Sequence, residues 1–216
     1  MTTDTVRVFA PAKINLFLHV GDKRADGFHP LQSLAVFVDA GDTLTLRRSD
    51  ELSLTLEGPF AEGLSAGNDN LVMKAARALN ATARIVLTKN LPIASGIGGG
   101  SADAAAALRG LNGLYDLGRT DLADIAAKLG SDVPVCVAGE AAWMEGRGEI
   151  LAPVSVPGPF YGLGQSAGGR LDSRSVPDIA KSIRYRDGSE TGERCVALPA
   201  EDQPTISKYP PVQLSP

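Results

Sequence analysis

Two spacings of apolar residues organise the first three quarters of the chain. Period-two alternation, the mark of a half-buried strand, runs through Thr43–Arg47 and Leu52–Leu56 and predicts two antiparallel strands. Val6–Ala10, Ile14–Val20, Leu31–Val38 and Ile85–Thr88 are denser in branched apolar residues and read as further strands, the first two bracketing Pro11. Leu71, Met73, Ala75, Ala78 and Leu79 are spaced for a helix over Asn70–Asn80. The alanine-rich run Ala102–Leu114 predicts a second helix, because alanine loses least on becoming helical. Thr120 stands where it can cap a third helix over Asp121–Leu129, which Gly130 ends. Val133–Val137 and Ala141–Glu145 read as a hairpin about Ala138, Gly139 and Glu140. The sum is an α+β domain, a mixed and largely antiparallel sheet with helices.

The pattern stops near residue 161. Val, Ile, Leu, Met, Phe and Trp supply 49 of the 161 residues up to that point and 10 of the 55 after it, where Gly and Pro number 12. A stretch so poor in large apolar groups buries too little to offset its ordering entropy. Two parts are expected: a folded domain over 1–161 and a divergent, poorly ordered tail over 162–216.

Composition narrows the class. A chain of 216 residues can bury one sizeable core. A net charge of -4 with 21% charged residues describes an ordinary surface, with no basic excess for nucleic acid. The opening Met1-Thr-Thr-Asp-Thr lacks the basic and apolar regions of a signal peptide. No apolar run nears the roughly 20 residues that span a bilayer. The expectation is a soluble cytoplasmic protein with neither membrane nor nucleic-acid partner. Cys136 and Cys195 make no disulfide framework and lack metal-ligand spacing, so no protein metal site is expected.

Candidate chemistry centres on Pro92, Ile93, Ala94, Ser95, Gly96, Ile97, Gly98, Gly99, Gly100, Ser101 and Ala102, between a strand and the alanine-rich helix. Glycines let a ligand approach the backbone closely. A helix start aims free N–H groups and a positive dipole end at the same place. Together they suit the phosphates of a nucleotide, although such a loop can also be a plain connection. It is not a Walker A loop, since no Gly-Lys-Ser/Thr follows.

The loop resembles the Pro-x-x-x-Gly-[Leu/Ile]-Gly-x-x-Ser-[Ser/Ala] motif of the GHMP kinases. Three further segments, Pro11-Ala-Lys-Ile-Asn-Leu16, Arg24-Ala-Asp-Gly-Phe-His-Pro-Leu-Gln32 and Leu129-Gly-Ser-Asp-Val-Pro134, are similar to motifs of one branch of that family. Its substrate is 4-diphosphocytidyl-2-C-methyl-D-erythritol, on the non-mevalonate route to isoprenoid precursors. The resemblance covers residues 8–154 and implies the family's N-terminal domain fold, the ribosomal protein S5 domain 2-like fold. It implies ATP as co-substrate with Mg2+, and phosphorylation of the substrate's 2-hydroxyl. It implies Asp132 as general base, Lys13 as its electrostatic partner, and substrate contacts from Asn15, Phe28 and His29, with Phe28 stacking on the cytosine. From local sequence alone Asp132 also reads as an N-cap or turn residue, Lys13 as a surface lysine, Phe28 as core and His29 as a loop residue. Lys89 reads either as a phosphate contact or as a solvated loop lysine. Ala102 stands where that branch often has a second serine.

The resemblance is expected to end after Tyr161-Gly-Leu163, without the second lobe and further glycine-rich motif of the family. A changed reading frame and a divergent short form both account for such an end. Two other functions stay open: a non-catalytic nucleotide-binding remnant, and a GHMP kinase of another alcohol.

Overall fold

The computed structural model describes residues 4–25, 27–93 and 98–154, with the backbone of 184–185 and 194–195. Strands β1 (Thr5–Val20) and β2 (Leu31–Arg48) run antiparallel along their length, from Thr5 opposite Arg47 to Val20 opposite Leu31. Each unites two segments that the sequence pattern separates. Pro11 lies opposite Gly41, and the register shifts between Pro11 and Lys13 and again between Asn15 and Phe17. A bulge tolerates the missing proline N–H and bends a strand without ending it. Gly41 permits the close approach, since a Cβ there would lie 2.4 Å from the Ala10 carbonyl oxygen.

The other edge of β2 takes two partners. Strand β4 (Ala83–Thr88) pairs with Thr43–Arg48, and β5 (Ala142–Glu145) pairs with Ser33–Ala35, both antiparallel. Between them that edge of β2 is left open. Strand β3 (Ser53–Glu57) extends the sheet beyond β4, and β6 (Ile150–Pro153) beyond β5. β3 runs parallel to β4, against the antiparallel expectation. Alternation reports a half-buried face and says nothing of strand direction. The helix α1 (Leu71–Ala78) provides the crossover that parallel pairing needs.

Asn70 caps α1 by accepting the Val72 N–H through its side chain at 2.9 Å. Helix α2 (Gly99–Leu114) starts three residues before the expected Ala102. It packs on β1 and β2 and against α1, α3 (Leu122–Leu129) and α4 (Val133–Ala138). Every residue from Ala102 to Leu108 is buried, so this helix has no solvent face over two turns. Alanines let neighbours close in from all sides. The cap position of α3 belongs to Asp121, not Thr120, and its carboxylate pairs with Arg119 instead of the helix amides.

The expected strand Val133–Val137 is the helix α4, and no hairpin forms there. Branched apolar residues favour strands, but Pro134 in a first turn has no N–H to lose and a φ already helical. Arg109 of α2 reaches across to the Cys136 carbonyl in the last turn of α4. Leu34, Val36 and Val38 alternate with Ala35 and Phe37, which places the first three in a second apolar cluster with Ala12, Ile14, Leu16 and Leu91 on the sheet's other face. Farther along, β7 (Arg184–Tyr185) and β8 (Arg194–Cys195) pair antiparallel. The rest of the tail expected over 162–216 lies outside the described residues.

Candidate active site

Lys13 sits on the bulged part of β1 and is 1% exposed. Its Nζ lies 3.2 Å from Asp132 Oδ2 and donates to Asn15 Oδ1 at 2.9 Å. The surface-lysine alternative is thereby removed. Asp132 occupies the position before α4 but makes no side-chain cap hydrogen bond there. Its side chain is 41% exposed, so one carboxylate stands between a buried ammonium and open space. That arrangement keeps a carboxylate beside a positive charge while leaving it able to take a proton.

The glycine loop comes to the same place. Gly98 has φ +67 and lies against the Lys13 side chain, where an added Cβ would stand 3.2 Å from Lys13 Cβ. Gly98 is also the residue before α2, and its carbonyl accepts the Ala102 N–H at 2.8 Å. The amides of Gly99, Gly100 and Ser101 precede that first bond and have no partner inside the helix. Pro92, Ile93 and Gly98–Ser101 line a cleft of about 460 Å³ with Leu64, Asn70 and Leu71. Ala102 faces the core instead. Ala94, Ser95, Gly96 and Ile97 lie outside the described residues.

Phe28 and His29 stand on the connection between β1 and β2. Phe28 is 49% exposed, with the Arg147 guanidinium over its ring at 4.5 Å from the centroid. The core-packing alternative for Phe28 does not hold. A smaller hollow of about 190 Å³ joins Phe28 and Arg147 to Gly130, Ser131 and Pro134, which flank Asp132. His29 Nδ1 lies 2.9 Å from the Gly21 carbonyl oxygen. A carbonyl only accepts, so Nδ1 donates, and Nε2 of the neutral ring is left as an acceptor.

Lys89 is neither a solvated lysine nor a free cation. It is 4% exposed and pairs with two buried carboxylates, Asp42 and Asp103, the latter at 2.8 Å. Asp42 lies at the open stretch of β2, and its Oδ1 also accepts the N–H groups of Asn90 at 2.6 Å and Leu91 at 2.9 Å. Neither acid was foreseen from the sequence. For Asp103 the available signal was an ionisable residue inside an alanine run, which proteins bury only with a partner; Asp42, between Gly41 and Thr43, carried none. Burial pushes the Asp103 carboxyl up to about 7, against the pull of Lys89. Burial works against the Lys89 ammonium too, yet Asp103 and Asp42 outweigh it and hold its pKa above the usual value.

A pH dependence follows. The folded Asp103 keeps a proton well above its ordinary 3.8, so stability from this group is complete below about pH 4 and is lost as pH rises through about 7. Urea midpoints should fall between pH 5 and 8 by more in the wild type than in Asp103→Asn. Equal slopes would show that Asp103 ionises freely in the folded protein.

Among the described residues no group of three or more His, Cys, Asp or Glu is arranged to hold a metal ion. No helix there is long and apolar enough to cross a membrane.

A sequence profile for the GHMP kinases N terminal domain matches residues 70–140. The chain is similar to 4-diphosphocytidyl-2-C-methyl-D-erythritol kinase of Cereibacter sphaeroides, 49% identical over 180 residues, 83% of this chain and 64% of the relative. A protein of the same name from Paracoccus denitrificans is 55% identical over 181 residues, 84% of this chain and 62% of the relative. The chain thus spans less than two thirds of the length of these curated relatives. A match of 181 residues within 216 extends past Leu163 wherever it starts, farther than the motifs alone carried the resemblance. The crystal structure of a 4-(cytidine 5'-diphospho)-2C-methyl-D-erythritol kinase superposes with a TM-score of 0.59 at 36% identity, over 70% of this chain and 56% of that one. A homoserine kinase from Cytophaga hutchinsonii superposes at 0.53 with 25% identity, over 74% of this chain and 54% of its own.

Proposed function

The chain belongs to the GHMP kinases, whose N-terminal domain it carries, and from that premise we propose that it transfers the γ-phosphoryl group of ATP to the 2-hydroxyl of 4-diphosphocytidyl-2-C-methyl-D-erythritol. The observation that carries the proposal is the ion pair of Lys13 with half-open Asp132, set against Gly98 at the helix start. Described residues of four sequence motifs, the first and last with 112 residues between them, meet or adjoin there.

Each group has a task in such a transfer. The free amides of Gly99, Gly100 and Ser101 and the positive end of α2 receive phosphate oxygens in the cleft. Asp132 accepts the proton of the attacking hydroxyl, which frees an oxygen lone pair for the γ-phosphorus. Lys13 stands beside that carboxylate and offsets charge gathering on the phosphoryl oxygens. Asn15, by accepting from Lys13, fixes the direction of the ammonium. Phe28 offers a ring face to the cytosine, and His29 Nε2 offers an acceptor to its amino group. Magnesium fits this donor set, because it takes most of its ligands from phosphates and water and needs few from protein. The Ser101 hydroxyl, in the lining of the cleft, is suited to hold it. Bound there, the ion would neutralise phosphate charge.

The cytoplasm, where ATP is available, is the compartment this reading calls for. A coupled assay of ADP release, offering the diphosphocytidyl substrate, homoserine and mevalonate in turn, tests it. Turnover with the first alone is expected. Turnover only with another alcohol would reassign the substrate, and ATP binding without any turnover would favour the non-catalytic reading.

A further inference from the structure

The Asp42–Lys89–Asp103 cluster has no part in the transfer just described, yet it lies between the two ends of the nucleotide loop. Asp42 comes from the open stretch of β2, Lys89 follows the end of β4, and Asp103 stands in the second turn of α2. Through Oδ1 Asp42 binds the backbone of Asn90 and Leu91, where the loop leaves the sheet. Lys89 then carries the connection to Asp103, just past the glycines where the loop enters the helix. Lys89 and Asp103 also stand in the wall of the 460 Å³ cleft.

We propose that these three side chains form a clasp that fixes the entry and exit of the loop relative to each other, and so act as positioning residues for the nucleotide. The inference rests on the reading of the cleft as the ATP site. Packing alone gives a poor account of the cluster. Three ionisable side chains are taken out of water here, and Asp103 Oδ1 is buried without a hydrogen-bond partner among the described residues. Burying such groups costs stability that an apolar trio would not forfeit. What ion pairs supply, and apolar contacts do not, is direction. Backbone amides bind phosphate only when aimed at it, and a displacement of about 1 Å at such a site can cost on the order of 10²-fold.

The discriminating variants act at Asp103. Asp103→Ala removes one end of the clasp while leaving the neutral pair Lys89–Asp42, and alanine suits a helix, so the protein should fold. Asp103→Asn keeps an oxygen for Lys89. Calorimetric titration of the full chain with ATP should show binding weaker by about tenfold in Asp103→Ala, the scale expected when a preorganised site is loosened. Asp103→Asn should stay close to wild type. Leu108→Ala, buried two turns along α2 and away from the cleft, should lower the melting temperature without changing ATP affinity. An Asp103→Ala protein that binds ATP as tightly as wild type would overturn the clasp. If that variant does not fold, the wild type decides: the ¹⁵Nζ resonance of Lys89 should shift on saturation with ATP, and an unmoved resonance would overturn the proposal. Failure of the wild type to bind ATP at all would sink the functional reading, and the clasp with it.

Discussion

Asp132→Asn should lower kcat by about 10²–10⁴-fold, the range typical for loss of a positioned general base, with little change in ATP affinity. The asparagine keeps the size of the side chain and the contact with Lys13, but it cannot take a proton from the attacking hydroxyl. Stability should barely change, since the carboxylate is 41% exposed and its partner has Asn15 as a second acceptor. Lys13→Met should lose activity as well, and the double variant should be little worse than either single one, because the two groups act as a unit. Losses that multiply in the double variant would mean that Lys13 and Asp132 work independently. Near-normal kcat in Asp132→Asn would remove the base assignment altogether.

This pair shows how the site could be read from sequence and where such reading stops. Lys13 and Asp132 are separated by 118 intervening residues, and neither has local surroundings that single it out. Only the motifs around them joined the two, whose side chains lie 3.2 Å apart. Asp42, Lys89 and Asp103 belong to no shared motif, and their meeting depends on the pairing of β2 with β4 and the angle of α2. Such pairing is set by tertiary packing, which a period of 2 or 3.6 does not encode.

The fold divides in the same way. Helix α1 was legible because its apolar spacing and its Asn70 cap agree. The α4 segment was misread because its valines favour a strand, whereas Pro134 and the burial of Val133, Val135 and Cys136 against α2 and α3 settle a helix. The sequence pattern divides each of two strands, one at Pro11 and the other between Val38 and Thr43, where Gly41 lies. Pro11 and Gly41 answer each other across the ladder, so the bend is shared and neither strand ends.

Gly98→Val is expected to have the second large effect. A φ of +67 is costly for any residue with a Cβ and worst for a branched one, and the new atoms would press on the Lys13 stem. Strain of about 1–3 kcal/mol, set against nucleotide binding, corresponds to an ATP affinity lower by about 10–100-fold. Because Lys13 would move with the loop, kcat should fall too, which separates this variant from one that merely blocks phosphate. The core beneath α2 is untouched, so the protein should still fold, with a melting temperature lower by roughly 4–24 °C on the usual scale of about 4–8 °C per kcal/mol for a small domain. Unchanged ATP affinity in a folded Gly98→Val protein would rule out the start of α2 as the phosphate cradle.

Phosphorus NMR of the full chain with ATP, Mg2+ and 4-diphosphocytidyl-2-C-methyl-D-erythritol shows where the phosphoryl group goes. A new phosphomonoester resonance on the polyol is expected, growing in step with ADP and nearly abolished in Asp132→Asn. ADP appearing with free phosphate and no phosphomonoester, or ATP persisting unchanged, would contradict the proposed transfer.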